Sequence, residues 1–351
     1  GLFGTGGVDA MAWANDPARP MLTLFAHDGD NAWSGGHSYY SENVSNFSHA
    51  AAAAGHTPTT VATYLRHHPV PYADVVHVED GGWVNADGDF GSPQYINWNW
   101  PLVDATGEFD IPGGWAEDER NWAVLVAAQN RVETACAVLP AVDPAEVMAP
   151  TASAHTGERA WHFLLAGYES GYMYYGASLD MEIKPTMACN EAAALVDPVL
   201  TGGADTVAPT VWIPQRLPWN PGGQGGGALW GYPGGNGVTM PTDFHVWTFV
   251  HDVSGLTRID LMVREDVDGA NDTATVHNET FAGGAGVGAW TAMPMTLRTM
   301  PTGEPWPLGE IDFTELPTHI ADQAWIELTG YQDVLLDYYV EAEDIHGHVT
   351  R

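Results

Sequence analysis

Apolar residues recur at helical spacing over much of the first 200 residues and at strand spacing beyond them, so the chain reads as two differently built parts. The firmest helical pattern covers 116–139, where Trp122, Leu125, Val132, Cys136 and Leu139 fall on one face. Glu117, Asp118 and Glu119 crowd its first turn, where the helix dipole favours anions, and Pro140 and Pro144 close it. Shorter helices are predicted at 45–54, ended by Gly55, and at 59–67, with Thr57 as cap and Pro58 at the first helical position. Two more are predicted at 157–166 and 184–194. The apolar run 21–26 (MLTLFA) reads as a buried strand that delivers His27-Asp28-Gly29-Asp30 at its C-terminal end.

The pattern changes near Leu200. Thr201-Gly202-Gly203 and Pro209 form a linker, and strands are predicted at 245–252, 258–264, 324–328 and 334–343. In the last, Leu336, Tyr338, Val340 and Ala342 alternate with Asp337, Tyr339, Glu341 and Glu343, as in a half-buried antiparallel strand. A β-sandwich of about 140 residues accommodates them. The segment 75–112 is rich in Gly, Asp, Asn and Trp and exceeds ordinary connection lengths, which marks it as a functional loop.

The chain has 351 residues, enough for more than one core. Its 11 Lys plus Arg against 45 Asp plus Glu give a formal charge of −34, which excludes binding to nucleic acid or to an anionic membrane surface. No run reaches the roughly 18 apolar residues of a membrane span. Fifteen Trp and 13 Tyr beside 40 Gly suit stacking on sugar rings with carboxylates for the hydroxyls, or equally the supply of buried area to a loop-rich scaffold. The opening Gly1-Leu2-Phe3 leads us to expect a processed piece of a longer precursor. Cys136 and Cys189 allow one bridge or two inert thiols.

Local chemistry concentrates at His27-Asp28-Gly29-Asp30-Asn31-Ala32-Trp33. A carboxyl there, desolvated by Trp33, has its pKa raised toward the range of a general acid; the alternative is a turn whose side chains cap their own backbone. Glu79-Asp80-Gly81-Gly82-Trp83 and Asp87-Gly88-Asp89 could line a sugar cleft or hold Ca²⁺ through Asp87 and Asp89, or form a solvated acidic loop. Glu265 to Asp272 has the acidity of half a Ca²⁺ loop but reads better as an acidic turn. Seven histidines crowd the first 80 residues without a zinc-site spacing, and there is no nucleophile elbow, phosphate loop or dinucleotide fingerprint.

Taken in order, Asp28-Gly29-Asp30-Asn31-Ala32-Trp33, then Gly81-Gly82-Trp83, then Trp115-Ala116-Glu117 with Asn121-Trp122, and Ser170-Gly171-Tyr172-Met173-Tyr174-Tyr175-Gly176 resemble the motifs of family 57 glycoside hydrolases, the amylopullulanase and α-amylase-like group. The resemblance covers about residues 20–200. It departs where Asp30 replaces a Glu and Ser170-Gly171 replaces a Ser-Asp pair. It implies the C-terminal part of a (β/α)7-type barrel over 1–115 and a helical segment completing the catalytic module over 116–200. Separately, 205–351, with its ending Tyr338-Tyr339-Val340-Glu341-Ala342-Glu343 and turn residues Ile345 to His348, resembles the immunoglobulin-like β-sandwich modules appended to secreted carbohydrate-active enzymes, which makes the chain α/β plus all-β. The family 57 resemblance further implies Asp28 as catalytic acid, with His27, Asp30 and Asn31 positioning hydroxyls and Trp33, Trp83, Trp98 and Trp115 stacking on glucose rings. The family's nucleophilic Glu lies on an earlier strand, so an N-terminal fragment of the same precursor is the expected partner beside a polysaccharide or oligosaccharide, outside the cell or on its surface. No cofactor is required, and Ca²⁺ is the candidate metal. Two other classes stay open: a non-catalytic glycan-binding surface protein, and a metal-dependent polysaccharide deacetylase built on Asp28, His27 and the other histidines of the first 80 residues.

Overall fold

The computed structural model describes residues 9, 13, 15–18, 20–24, 45–70, 83–85, 94–96, 102–169, 183–200, 205–217, 229–230, 238–239, 243–266, 286–305, 315–331 and 334–351. They belong to two compact units, Gly1–His77 with Asp272–Ala282, and Val78–Asn271 with Gly283–Arg351. In the first unit, α1 (Ser45–Ala53) stops at Gly55, whose φ of 91° costs a glycine nothing. Helix α2 (Val61–His67) starts later than Thr57 and Pro58 suggest. Thr60 is its cap, the side chain accepting from the Thr63 N–H at 3.1 Å.

The run 21–26 departs further from expectation. Residues 21–24 form no strand, and Met21 and Leu24 are 36% and 64% exposed. Their neighbourhood spends its backbone groups on side chains: the Met21 N–H donates to Asn15 Oδ1 at 2.8 Å, and the Pro20 carbonyl accepts from the Tyr64 hydroxyl. An apolar run becomes a strand only when a neighbouring strand takes its backbone groups. Among the described residues every strand pair is antiparallel, and much of the expected barrel span 1–115, including 25–44, 71–82, 86–93 and 97–101, lies outside them.

The second unit is layered around α3 (Glu117–Cys136). It also holds the hairpin β1 (Trp83–Asn85) and β2 (Gln94–Ile96), the short α4 (Pro144–Met148), α5 (Thr156–Gly167) and α6 (Lys184–Leu200). The strands that follow are β3 (Thr210–Val211), β4 (Gln215–Leu217), the two-stranded pair β5 (Leu229–Trp230) and β6 (Val238–Thr239), β7 (Phe244–His251), β8 (Leu256–Asp266), β9 (Thr291–Pro294), β10 (Thr296–Thr299), β11 (Asp322–Leu328), β12 (Leu335–Asp344) and β13 (Val349–Thr350). One sheet has the order β10-β11-β7-β3 with β4 also on β7, and the other β13-β12-β8-β9. Phe244, Val246 and Val250 of β7 meet Ile259, Leu261 and Val263 of β8 and Val340 of β12 in one core, so the two sheets pack face to face.

Strand β7 is buried on both faces. Its Trp247 and Phe249 point the other way, into a second core with Trp212 and with Ala123, Val126 and Ala127 of α3. This explains why FHVWTFVH is nearly continuously apolar rather than alternating. Behind α3, Val124, Leu125, Val132 and Ala135 pack on Leu164 of α5 and on Cys189, Ala192 and Val196 of α6. Sheet on one side and helices on the other cover α3 almost all round, whereas its sequence predicts a single buried face. Cys136 and Cys189 are free thiols, and burial pushes Cys189 up to about 12.

The loop 102–115 is closed by Val103 pairing with Phe109 and Trp115, and is tied to the sheet. Arg298 donates to the Pro112 and Gly114 carbonyls at 2.9 and 2.7 Å, and Gln323 to that of Ile111 at 2.8 Å. A Cβ on Gly114 would stand 2.7 Å from the Val103 nitrogen and 2.8 Å from the Leu102 carbonyl carbon, both backbone atoms that cannot swing aside. Gly114→Ala is therefore expected to lower stability by about 2–3 kcal/mol in urea unfolding. An unchanged midpoint would show that the loop is not held this tightly. No described helix is long and apolar enough to cross a membrane.

Candidate functional site

The sequence-predicted residues His27, Asp28, Asp30, Asn31, Trp33 and Trp98 lie outside the described residues, as do Asp87, Asp89 and 170–176. Trp83 opens β1 with its Cα opposite Ile96. Trp115 is 3% exposed and packs among Leu102, Ile111 and Ala116, so its ring faces are given to the core.

What the structure brings together is the acidic start of α3. Ala116 at the N-cap is extended and offers no side-chain cap, which leaves Glu117, Asp118 and Glu119 as the acids beside the first N–H groups. Consecutive helical residues point about 100° apart, so three acids in a row fan across the helix and cannot all reach water when both sides are covered. Glu119 is fully buried; its Oε2 accepts from Trp247 Nε1 at 3.4 Å, while Oε1 has no hydrogen-bond partner among the described residues. Burial holds its carboxyl well above the usual range. Asp118 is 7% exposed with Oδ1 unpartnered among the described residues, and burial, aided by the Glu117 charge, pushes it up to about 7. Glu117 is raised by burial too, with Glu304 adding repulsion.

Arg120 is the cation in this cluster, and it is also fully buried. Its Nε donates to the Thr302 carbonyl at 2.8 Å, and its Nη1 to Thr186 Oγ1 at 2.8 Å and Asn121 Oδ1 at 3.2 Å. Trp122 stacks on Trp212 at 5.3 Å between ring centroids and lies 6.2 Å from Tyr168. The Trp115 to Trp122 motif is thus a buried junction of helix and sheet. The group it offers to chemistry is Asp118, a carboxyl able to hold or release a proton near neutrality.

A carboxyl raised in the folded state binds its proton more tightly there than in the unfolded chain. Asp118 therefore contributes stability that is full below its ordinary value near 3.8 and is lost as pH rises through about 7. Asp118→Asn removes this dependence. The variant is expected to be more stable than the native protein at pH 8, by about 2 kcal/mol, and no more stable at pH 4. Urea unfolding across that range checks it, and equal differences at both ends would show that Asp118 titrates normally.

The sequence pattern reads Glu117, Asp118 and Glu119 alike as first-turn acids and singles out none of them as buried, although three adjacent acids at a helix start that also carries Trp115 and Trp122 were the available signal.

No protein-family model matches the chain, and no solved structure matches it. The chain is similar to a protein of Niallia circulans named alpha-amylase, 28% identical over 432 aligned positions that take in 100% of this chain and 33% of that protein. It spans about a third of that relative's length.

Proposed function

We propose that the chain is part of a glycoside hydrolase acting on α-glucans, of family 57 type, with Asp28 as the acid that protonates the departing glycosidic oxygen. The supporting observation is that the similarity to a protein named alpha-amylase takes in every part of the chain, the Asp28 motif and the helix start at Trp115 included. Trp33, Trp83 and Trp98 supply ring faces for glucose units, and His27, Asp30 and Asn31 bind hydroxyls. Trp115 is left out of this set because its ring is in the core.

Retaining hydrolysis needs a second carboxyl about 5–5.5 Å from the first. In this reading a preceding part of the same polypeptide supplies it, which fits a chain that spans a third of its relative. The facing sheets are an immunoglobulin-like module packed on α3, and the protein works outside the cell or on its surface. Incubation with soluble starch, with and without the preceding part of the polypeptide, tests this. Reducing ends are expected from starch, not from cellulose, and only when both parts are present. Starch binding with no release from either preparation would favour the glycan-binding surface protein, whose support is Asp30 and Ser170-Gly171 standing where the family has Glu and Ser-Asp.

A further inference from the structure

Three aspartates from distant parts of the second unit meet at one place. Asp205 precedes β3, Asp252 follows β7, and Asp344 ends β12; one carboxylate oxygen from each lies within 4.8 Å of the others. Their exposures are 8%, 6% and 1%. In each, Oδ1 is engaged locally: with the Val207 N–H, with the Ser254 N–H and hydroxyl, and with the His346 and His348 N–H groups. Asp344 Oδ2 is bonded to His348 Nδ1 at 2.6 Å. The Oδ2 atoms of Asp205 and Asp252 are buried and have no hydrogen-bond partner among the described residues, which leaves them as the oxygens these side chains have to offer. Among the described residues His348 is the one basic side chain paired with any of the three.

Asn130 of α3 fixes two of the segments. Its Oδ1 accepts from the Val253 N–H at 2.9 Å, and its Nδ2 donates to the Ala208 carbonyl at 3.3 Å. The carboxylates are therefore held near one another by neutral groups, with His348 on Asp344 the one basic side chain paired with them among the described residues. Like charges this close, away from water, repel strongly unless a cation or protons intervene.

We propose that Asp205, Asp252 and Asp344 together bind one divalent cation, Ca²⁺. The donors are hard oxygens, which suit Ca²⁺ rather than a transition metal, and carbonyls and water can complete its six to eight ligands. Mg²⁺ demands a tighter octahedron and keeps several waters, which a buried pocket accommodates poorly. The ion would tie the segment before β3 to the β7–β8 turn and to the end of β12, and so brace the facing sheets.

The test is calorimetric titration of the EGTA-treated 351-residue chain with CaCl2 in about 0.15 M NaCl, which screens weak binding to the surface acids, with thermal melts alongside. One Ca²⁺ per chain is expected, and at a hundred times the Kd a rise in Tm of roughly 3–5 °C. Asp252→Asn should lose both, yet melt cooperatively in EGTA at or above the native Tm, because it removes one repelling charge and keeps its turn acceptor. A native Tm unmoved by Ca²⁺ would overturn the proposal, as would undiminished stoichiometric binding in Asp252→Asn. A larger shift with Mg²⁺ than with Ca²⁺ would overturn the choice of ion.

Discussion

Arg120→Ala is expected to destabilise the protein by about 3–5 kcal/mol, the range for removing one partner from a buried charged network. The guanidinium is fully buried and reaches two other parts of the second unit, Thr186 on α6 and the Thr302 carbonyl. Its loss strands those acceptors, removes the positive charge next in sequence to Glu119, and opens a cavity at the start of α3. Arg120→Lys should recover little, since an ammonium cannot make both contacts in the guanidinium's fixed geometry. Urea unfolding followed by tryptophan fluorescence gives the difference directly. A loss below about 1 kcal/mol would mean that the helix start is not organised around this residue.

Trp247→Ala is the second large effect, again about 3–5 kcal/mol. Among the described residues Trp247 is the largest fully buried side chain, and it sits mid-strand, opposite Trp325 on β11 and Gln215 on β4. Its ring belongs to the core that joins sheet to α3, and its indole N–H donates to Glu119. Trp247→Phe separates the two contributions: most of the packing stays while the donor goes, so a cost of about 1–2 kcal/mol is expected. Equal losses for Ala and Phe would mean that the hydrogen bond stabilises this junction more than the packing does.

The strands of the second unit were legible because alternation and β-branched runs are local: 245–252, 258–264, 324–328 and 334–343 become β7, β8, β11 and β12 with ends shifted by one or two residues. The helix at 116–139 was legible for the same reason. Its burial was not, since whether one face or all faces are covered depends on what arrives from residues 164–196 and 212–249. The run 21–26 misled because apolar character says nothing of whether a partner strand exists; among its described residues, 21–24, the Met21 N–H is taken by the Asn15 side chain. Trp115, a stacking residue by what the resemblance implies, is buried in the core here, because an aromatic in the sequence suits either role. The meeting of Asp205, Asp252 and Asp344 had no local signature, because antiparallel pairing of β3 with β7 and of β8 with β12 brings them together.

The reading of Asp28 as a glycosidic acid is tested most directly by the rate of reducing-end release from starch when Asp28→Asn is introduced into the complete polypeptide. The expected result is a fall of about 10²–10⁴-fold with starch affinity retained, the loss that follows removal of a general acid. Release at the native rate would contradict the assignment and return Asp28 to the turn that its Gly and Asn neighbours can equally form.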